Sequence, residues 1–213
     1  MDEYTRPDYQ SIALLTIDAQ NDFSLPGAPL EIKGTMEAIP KIVKLLELFR
    51  KLAKPIVHVV RLYKEDGSNV DIVRRKWVAD GVSAGRPGTD GAELVKELKP
   101  HEFRLNSERL LAGHMQQLAP NEFVIYKPRW GAFYATALGE FLREKGINTL
   151  AFTGCNFPNC PRTSIYQASE RDFRIVVVKD AISGIYGKGV EELANIGCEI
   201  SVSQELADKL QSS

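Results

Sequence analysis

Paired cysteines, clustered histidines, a dominant charge and a long apolar run are all missing from this chain, and each absence excludes a class of protein. Its three cysteines, Cys155, Cys160 and Cys198, are odd in number and irregular in spacing, so no disulfide framework is expected and a reducing cytoplasm is the predicted location. A separation of five positions, from Cys155 to Cys160, is not a standard ligand spacing. With His58, His101 and His114 far apart, no metal site and no cofactor is expected. Lysine and arginine number 27 against 28 acidic residues, a net charge of -1 with no basic cluster, which argues against nucleic acid and anionic membrane as partners. Nowhere do about eighteen apolar residues run together as a membrane span requires. The amino terminus, MDEYTRPDYQ, is charged and lacks an apolar segment, so the expectation is a soluble protein not exported by a standard signal. There is no internal repeat, low-complexity tract or linker. A length of 213 residues suits one sizeable core, so residues 1–213 are read as a single domain with its core over about 11–203.

What is present is an alternation of short apolar runs with amphipathic helical stretches. Ile12 to Ile17, Ile56 to Val60, Glu122 to Tyr126, Ile147 to Phe152, Arg174 to Val178 and Cys198 to Val202 read as strands covered on both faces. Helical spacing carries Ile39 to Leu52, then a helix through Leu138, Phe141 and Leu142 closed by Gly146, then Thr163 to Asp172, Gly189 to Ile196 and Ser203 to Leu210. Strands alternating with helices predict an α/β fold: a six-stranded, mostly parallel, doubly wound sheet with helices on both faces, in three layers. Tyr63 to Gly91 is polar, rich in glycine and aperiodic, the length of a binding loop and a candidate pocket wall. The stretch His101 to Ala119 is partly amphipathic and receives no role from its pattern.

In doubly wound sheets ligands bind outside the carboxyl ends of the strands. Asp18, Lys127 and Cys160 all fall there. Cys160 stands between a strand and a helix, with Pro161 at the favoured first helical position, and is read as the helix N-cap. The positive helix end there would lower the thiol pKa and raise the thiolate fraction. Cys155 and Cys198 are read as packing residues, as free cysteines usually are. An aspartate after a strand is commonly a turn-former and a lysine there is commonly solvated. Here their coincidence with a thiol supplies the base and charge partner that a nucleophile needs. Asp180 also sits at a predicted strand end, and spacing alone does not choose between it and Asp18.

Three segments, TIDAQNDF (Thr16 to Phe23), KPRWGAF (Lys127 to Phe133) and TGCNFPNCPRTSIYQASERDF (Thr153 to Phe173), resemble in kind and order the signatures of the isochorismatase-like cysteine hydrolases. The resemblance spans Ile12 to Val202. It implies a catalytic triad of Asp18, Lys127 and Cys160 on a six-stranded parallel sheet of Rossmann-like type. It further implies a cis peptide between Cys155 and Asn156 that aims the amides of Asn156 and Cys160 at one point as an oxyanion hole. Where metal-dependent nicotinamidases have an Asp-x-His followed by another histidine, this chain has HVVRLYKED with His58 alone. Gly131 stands where the family often has serine. The implied activity is metal-independent hydrolysis of an amide, ureido or N-carbamoyl C–N bond of a small molecule through an acyl-thioester on Cys160, with Phe23, Trp77, Trp130 and Phe157 as pocket walls. Isochorismate-type vinyl ether hydrolysis and a non-catalytic binding protein on the same fold are the alternatives. The resemblance also implies a homodimer or homotetramer.

Overall fold

A computed structural model describes residues 2–212. Seven strands form one sheet: β1 (Ile12–Ile17), β2 (Ile56–Val60), β3 (Gln116–Ala119), β4 (Glu122–Tyr126), β5 (Thr149–Gly154), β6 (Arg174–Ile182) and β7 (Glu199–Ser201). Their order is β3-β4-β2-β1-β5-β6-β7, and every pairing is parallel except β3 with β4. The helices are α1 (Asn21–Ser24), α2 (Thr35–Lys51), α3 (Arg75–Ala79), α4 (Ser107–Leu111), α5 (Leu138–Glu144), α6 (Cys160–Ser169), α7 (Gly187–Asn195) and α8 (Ser203–Gln211). Among the described residues no helix is long and apolar enough to cross a membrane.

The continuous apolar run of β1 follows from its place at the sheet's centre. Ala13, Leu15 and Ile17 pack with Leu138, Leu142, Ile165 and Leu193 of α5, α6 and α7 on one face. Ile12 and Leu14, pointing the other way as strand geometry requires, pack with Ile39, Ile42, Leu45 and Leu46 of α2 and Leu206 and Leu210 of α8. A strand with helices on both sides has no solvent face, hence no polar alternation.

The seventh strand corrects the expected count of six. It lies within the stretch to which the sequence pattern assigned no role. Residues 101–119 fold as α4 and β3, an antiparallel edge strand laid against β4. Leu105, Leu110 and Leu118 there cover Val60, Leu62, Val124 and Tyr126. The segment therefore shields a sheet edge. A second correction concerns β6, which continues to Ile182, so Asp180 lies inside a strand. Its carboxylate accepts from the amide and hydroxyl of Ser203, both at 2.7 Å, at the start of α8. Asp180 is a helix-anchoring residue.

Strand order reverses between β1 and β5. Their ends come so close that a Cβ on Gly154 would stand 2.1 Å from the Ile17 carbonyl oxygen. Glycine at φ +109° is what lets the two carboxyl ends meet. This is the switch-point crevice where such sheets bind ligands.

Candidate active site

Three loops deliver side chains to the crevice. Asp18 follows β1 in a left-handed conformation (φ 52°), with its amide held by the Val59 carbonyl at 2.9 Å. Lys127 follows β4, its amide donating to the Val60 carbonyl at 3.0 Å, and its long stem spans β2 to reach Asp18. Lys127 Nζ lies 2.9 Å from Asp18 Oδ2 in a pair whose lysine is 0% exposed. Asp18 Oδ1 is buried and has no hydrogen-bond partner among the described residues. Cys160 opens α6 and shares with Asp18 a cavity of about 460 Å³, also walled by Phe23, Leu30, Ile32, Arg74, Trp77 and Asn156.

Burial opposes the Lys127 ammonium, yet the negative charge of Asp18 beside it holds its pKa above the ordinary lysine value, and a Cys160 thiolate would add to that pull once formed. The Cys160 thiol goes the other way from expectation. Burial first, then the charge of Asp18, push it up to about 12, against the smaller downward pull of Lys127 and Arg74. The resting side chain is a neutral thiol. Cys160 is also the first residue of α6 rather than its cap, which is Asn159. Cys155 is buried with its Sγ against the Asp18 carbonyl at 3.1 Å, and Cys198 packs in the core far along the chain.

The Cys155–Asn156 peptide is cis. Phe157 donates its amide to Ser183 and Asn159 donates to Asn156, but the amides of Asn156 and Cys160 meet no acceptor among the described residues. Both residues border the cavity.

Of the four expected wall aromatics, Phe23 and Trp77 line the cavity. Phe157 does not. It is fully buried in the core, edge-on to Tyr186 at 5.3 Å, because the chain turns it inward beneath α7. Trp130 is not on the wall either and packs against the core beside Arg74. At Gly131 a Cβ would strike the carboxamide of Gln167 at 2.2 Å, and that carboxamide accepts from the Phe133 amide at 3.0 Å. Glutamine on α6 thus fills the space a serine at position 131 would take.

His58 is unavailable to a metal: Nδ1 meets Thr16 Oγ1 at 2.8 Å and Nε2 meets Glu122 at 2.9 Å, deep in the sheet. Among the described residues no group of three or more histidine, cysteine, aspartate and glutamate side chains could hold a metal ion. The pattern-based reading missed a network. Arg61, fully buried after β2, donates to the Lys127 carbonyl and to Asp71, each at 2.7 Å, tying the lysine to the 63–91 loop that carries Arg74. Arginines in the charged, aperiodic stretch that follows β2 read as solvated, and only the fold reveals that Arg61 and Arg74 turn inward.

Fold and site together define a class: a doubly wound α/β domain with a thiol, a carboxylate and an ammonium gathered at its switch point. The chain belongs to the isochorismatase family, whose domain matches residues 12–195. It is 30% identical over 208 residues to a probable inactive nicotinamidase of Arabidopsis thaliana, covering 95% of this chain and 97% of that protein. To the maleamate amidohydrolase of Pseudomonas putida it is 29% identical over 176 residues, covering 80% of this chain and 71% of that enzyme. Among solved structures, an isochorismatase family protein from Desulfovibrio vulgaris superposes with a TM-score of 0.78 at 34% identity, covering 94% of this chain and 98% of the other. Members of the family are hydrolases, amidohydrolases among them.

Proposed function

We propose that the protein is a cysteine amidohydrolase that cleaves a C–N bond of a small molecule without a metal. One observation carries the reading: Asp18 has one buried oxygen bound by Lys127 and the other unpartnered, in the cavity that holds a neutral buried thiol. A buried acceptor left without a donor costs free energy unless it has work to do. Here the work is proton transfer. Asp18 Oδ1 takes the Cys160 proton as Sγ attacks the substrate carbonyl, so charge passes from carboxylate to oxyanion while Lys127 stays beside it. The amides of Asn156 and Cys160 receive the oxyanion, each donor being worth about 3 kcal/mol in such sites. The C–N bond then breaks as the Asp18 carboxyl returns its proton to the leaving nitrogen. Water, deprotonated by Asp18, adds to the thioester, and the departing sulfur recovers that proton.

Vinyl ether hydrolysis needs no thiol nucleophile, and the maleamate amidohydrolase relative weighs toward amides. The inactive description of the Arabidopsis relative favours a non-catalytic reading, and the same experiment decides. Small amides and ureides are screened for ammonia release, and the intact protein is labelled briefly with iodoacetamide and mapped by mass spectrometry. Turnover abolished by Cys160→Ala, with labelling at Cys160 ahead of Cys155 and Cys198, is expected. Uniformly sluggish labelling and no turnover would leave a binding protein. The reading includes a homo-oligomer in a reducing cytoplasm: Ile72 and Val73, 79% and 61% exposed beside Trp77, are apolar surface a second copy would cover. A monomer by light scattering at micromolar concentration would refute that part.

A further inference from the structure

We propose that Arg74 is a carboxylate anchor and that the substrate is a small amide or ureide carrying a carboxylate away from its scissile bond. This rests on the hydrolase reading above and narrows it. Arg74 ends the turn before α3 and stands on the cavity wall with Asp18, Cys160 and Trp77. Its position is fixed. Nη1 donates to the Tyr63 hydroxyl, and the guanidinium lies 6.0 Å from the Tyr63 ring centroid, 5.6 Å from Trp77 and 6.0 Å from Trp130. A guanidinium held by aromatic faces keeps its planar donor fork oriented, so little ordering is left to do when an anion arrives.

What this arginine lacks is an anion. The other inward-turned arginines are paired, Arg61 with Asp71 at 2.7 Å and Arg50 with Glu122 at 2.8 Å, whereas Arg74 has no carboxylate within 4.0 Å among the described residues. Its Nε and Nη2 have no acceptor among the described residues. The carboxylates that line the cavity are engaged elsewhere: Asp18 is bound by Lys127, and exposed Glu31 accepts from the Gly27 amide at 2.8 Å. The cavity wall therefore presents a guanidinium with no directly paired carboxylate and with a free pair of donors among the described residues. A half-buried cation is costly to leave unpaired, and a planar fork matches a carboxylate in two parallel hydrogen bonds. Generating the Cys160 thiolate is not an adequate role for it, because that thiol stays high with Arg74 in place. A cavity of about 460 Å³ holds a small molecule that places its carboxylate on Arg74 and its carbonyl at Cys160.

The test pairs succinamate and glutaramate with their uncharged diamides. Binding is measured by calorimetry in the Cys160→Ala background, where nothing turns over, with Arg74 intact, as Arg74→Gln and as Arg74→Lys. With Arg74 at least one acid should bind about tenfold to hundredfold tighter than its diamide, the range of a charge-assisted bidentate contact. Arg74→Gln should bring that ratio to unity without weakening the diamide, and Arg74→Lys, which keeps the charge but loses the fork, should fall between. Acids and diamides that bind alike, no acid binding at millimolar concentration, or a preference that survives in Arg74→Gln would overturn the anchor. The amide and ureide screen on the protein with Cys160 intact separates the two claims. Turnover that is lost in Cys160→Ala beside a missing charge preference removes the anchor alone, and no turnover of any amide or ureide beside an intact preference removes the hydrolase reading alone.

Discussion

Replacing Asp18 with asparagine tests the electrostatics of the site more sharply than an activity assay, because it leaves a buried lysine without its counter-ion. Lys127 is fully buried, Asp18 Oδ2 sits 2.9 Å from its Nζ, and the other acceptor in reach is the Arg129 carbonyl at 3.3 Å. Removing one partner of a buried pair costs about 3–5 kcal/mol. A domain has about 5–15 kcal/mol in total, so Asp18→Asn should lose a large share of its stability at neutral pH.

The sign of its pH dependence follows from counting protons. In the wild-type site near pH 7 both Cys160 and Lys127 are protonated, as they are in the unfolded chain. Without the carboxylate the folded site sheds one proton, either from Lys127 or from Cys160 to leave a thiolate beside the ammonium. Both cases give the unfolded chain one extra bound proton, so stability rises with pH by about 1.4 kcal/mol per unit. The rise ends near about pH 8.5, where the unfolded cysteine ionises. Urea unfolding followed by circular dichroism at about pH 6, 7 and 8 measures the slope, with the wild type nearly level over that range. Asp18→Asn/Lys127→Met, lacking both charges, should recover most of the stability and lose the slope. Turnover should fall by about 10²–10⁴. Yet Cys160, freed of the charge that raises its pKa, should alkylate no more slowly than in the wild type. A level profile for Asp18→Asn, or a loss below about 1 kcal/mol at neutral pH, would refute the buried-pair argument.

Burial raises the thiol pKa of all three cysteines, up to about 12 for Cys160 and Cys198. Their stabilisation is complete below the unfolded value near about 8.5 and is lost above it, at about 1.4 kcal/mol per pH unit each. Cys198→Ala should cut the alkaline slope of urea unfolding by about a third, and an unchanged slope would contradict it. Arg61→Ala leaves the Asp71 carboxylate with the half-exposed Arg129 at 3.9 Å in place of a buried partner at 2.7 Å and takes a donor from the Lys127 carbonyl; a loss of about 3 kcal/mol by urea unfolding is expected, and wild-type stability would show the network to be idle. EDTA should leave turnover of any substrate from the amide screen unchanged, since His58 is already committed on both ring nitrogens; loss restored by zinc would refute this.

The sheet was legible because its evidence in the sequence is periodic. Buried strands such as Ile12–Ile17 and amphipathic helices such as that through Leu45 and Leu46 show themselves in apolar spacing. Gln116–Ala119 escaped because an edge strand of four residues, half exposed, has no such pattern. Helix starts were read late: α2 begins at Thr35, where glycine at φ 86° turns the chain into the helix ahead of the apolar residues. Strand ends at 18 and 127 could be located, but not which way their side chains turn. Phe157 shows the limit, since an aromatic three residues before the thiol faces the core because the preceding turn rotates it there. Arg61, Asp71 and Arg74 were invisible for a related reason: the loop that holds them has no period, and their burial is a tertiary fact.

The expectation that Cys160 is a ready thiolate failed on magnitude rather than on position. A helix amino terminus contributes about 0.3–1 kcal/mol, and up to about 2 kcal/mol when partly buried. Full burial can shift an ionisable group by several times that, and Asp18 adds repulsion in the same direction. The helix end therefore cannot supply the nucleophile in the resting site, however well it is placed. The proton must leave as the carbon–sulfur bond forms, which makes the unpartnered oxygen of Asp18 the critical acceptor. In that arrangement Lys127 serves by holding one oxygen of the carboxylate at 2.9 Å, which leaves the other free for the proton of the thiol.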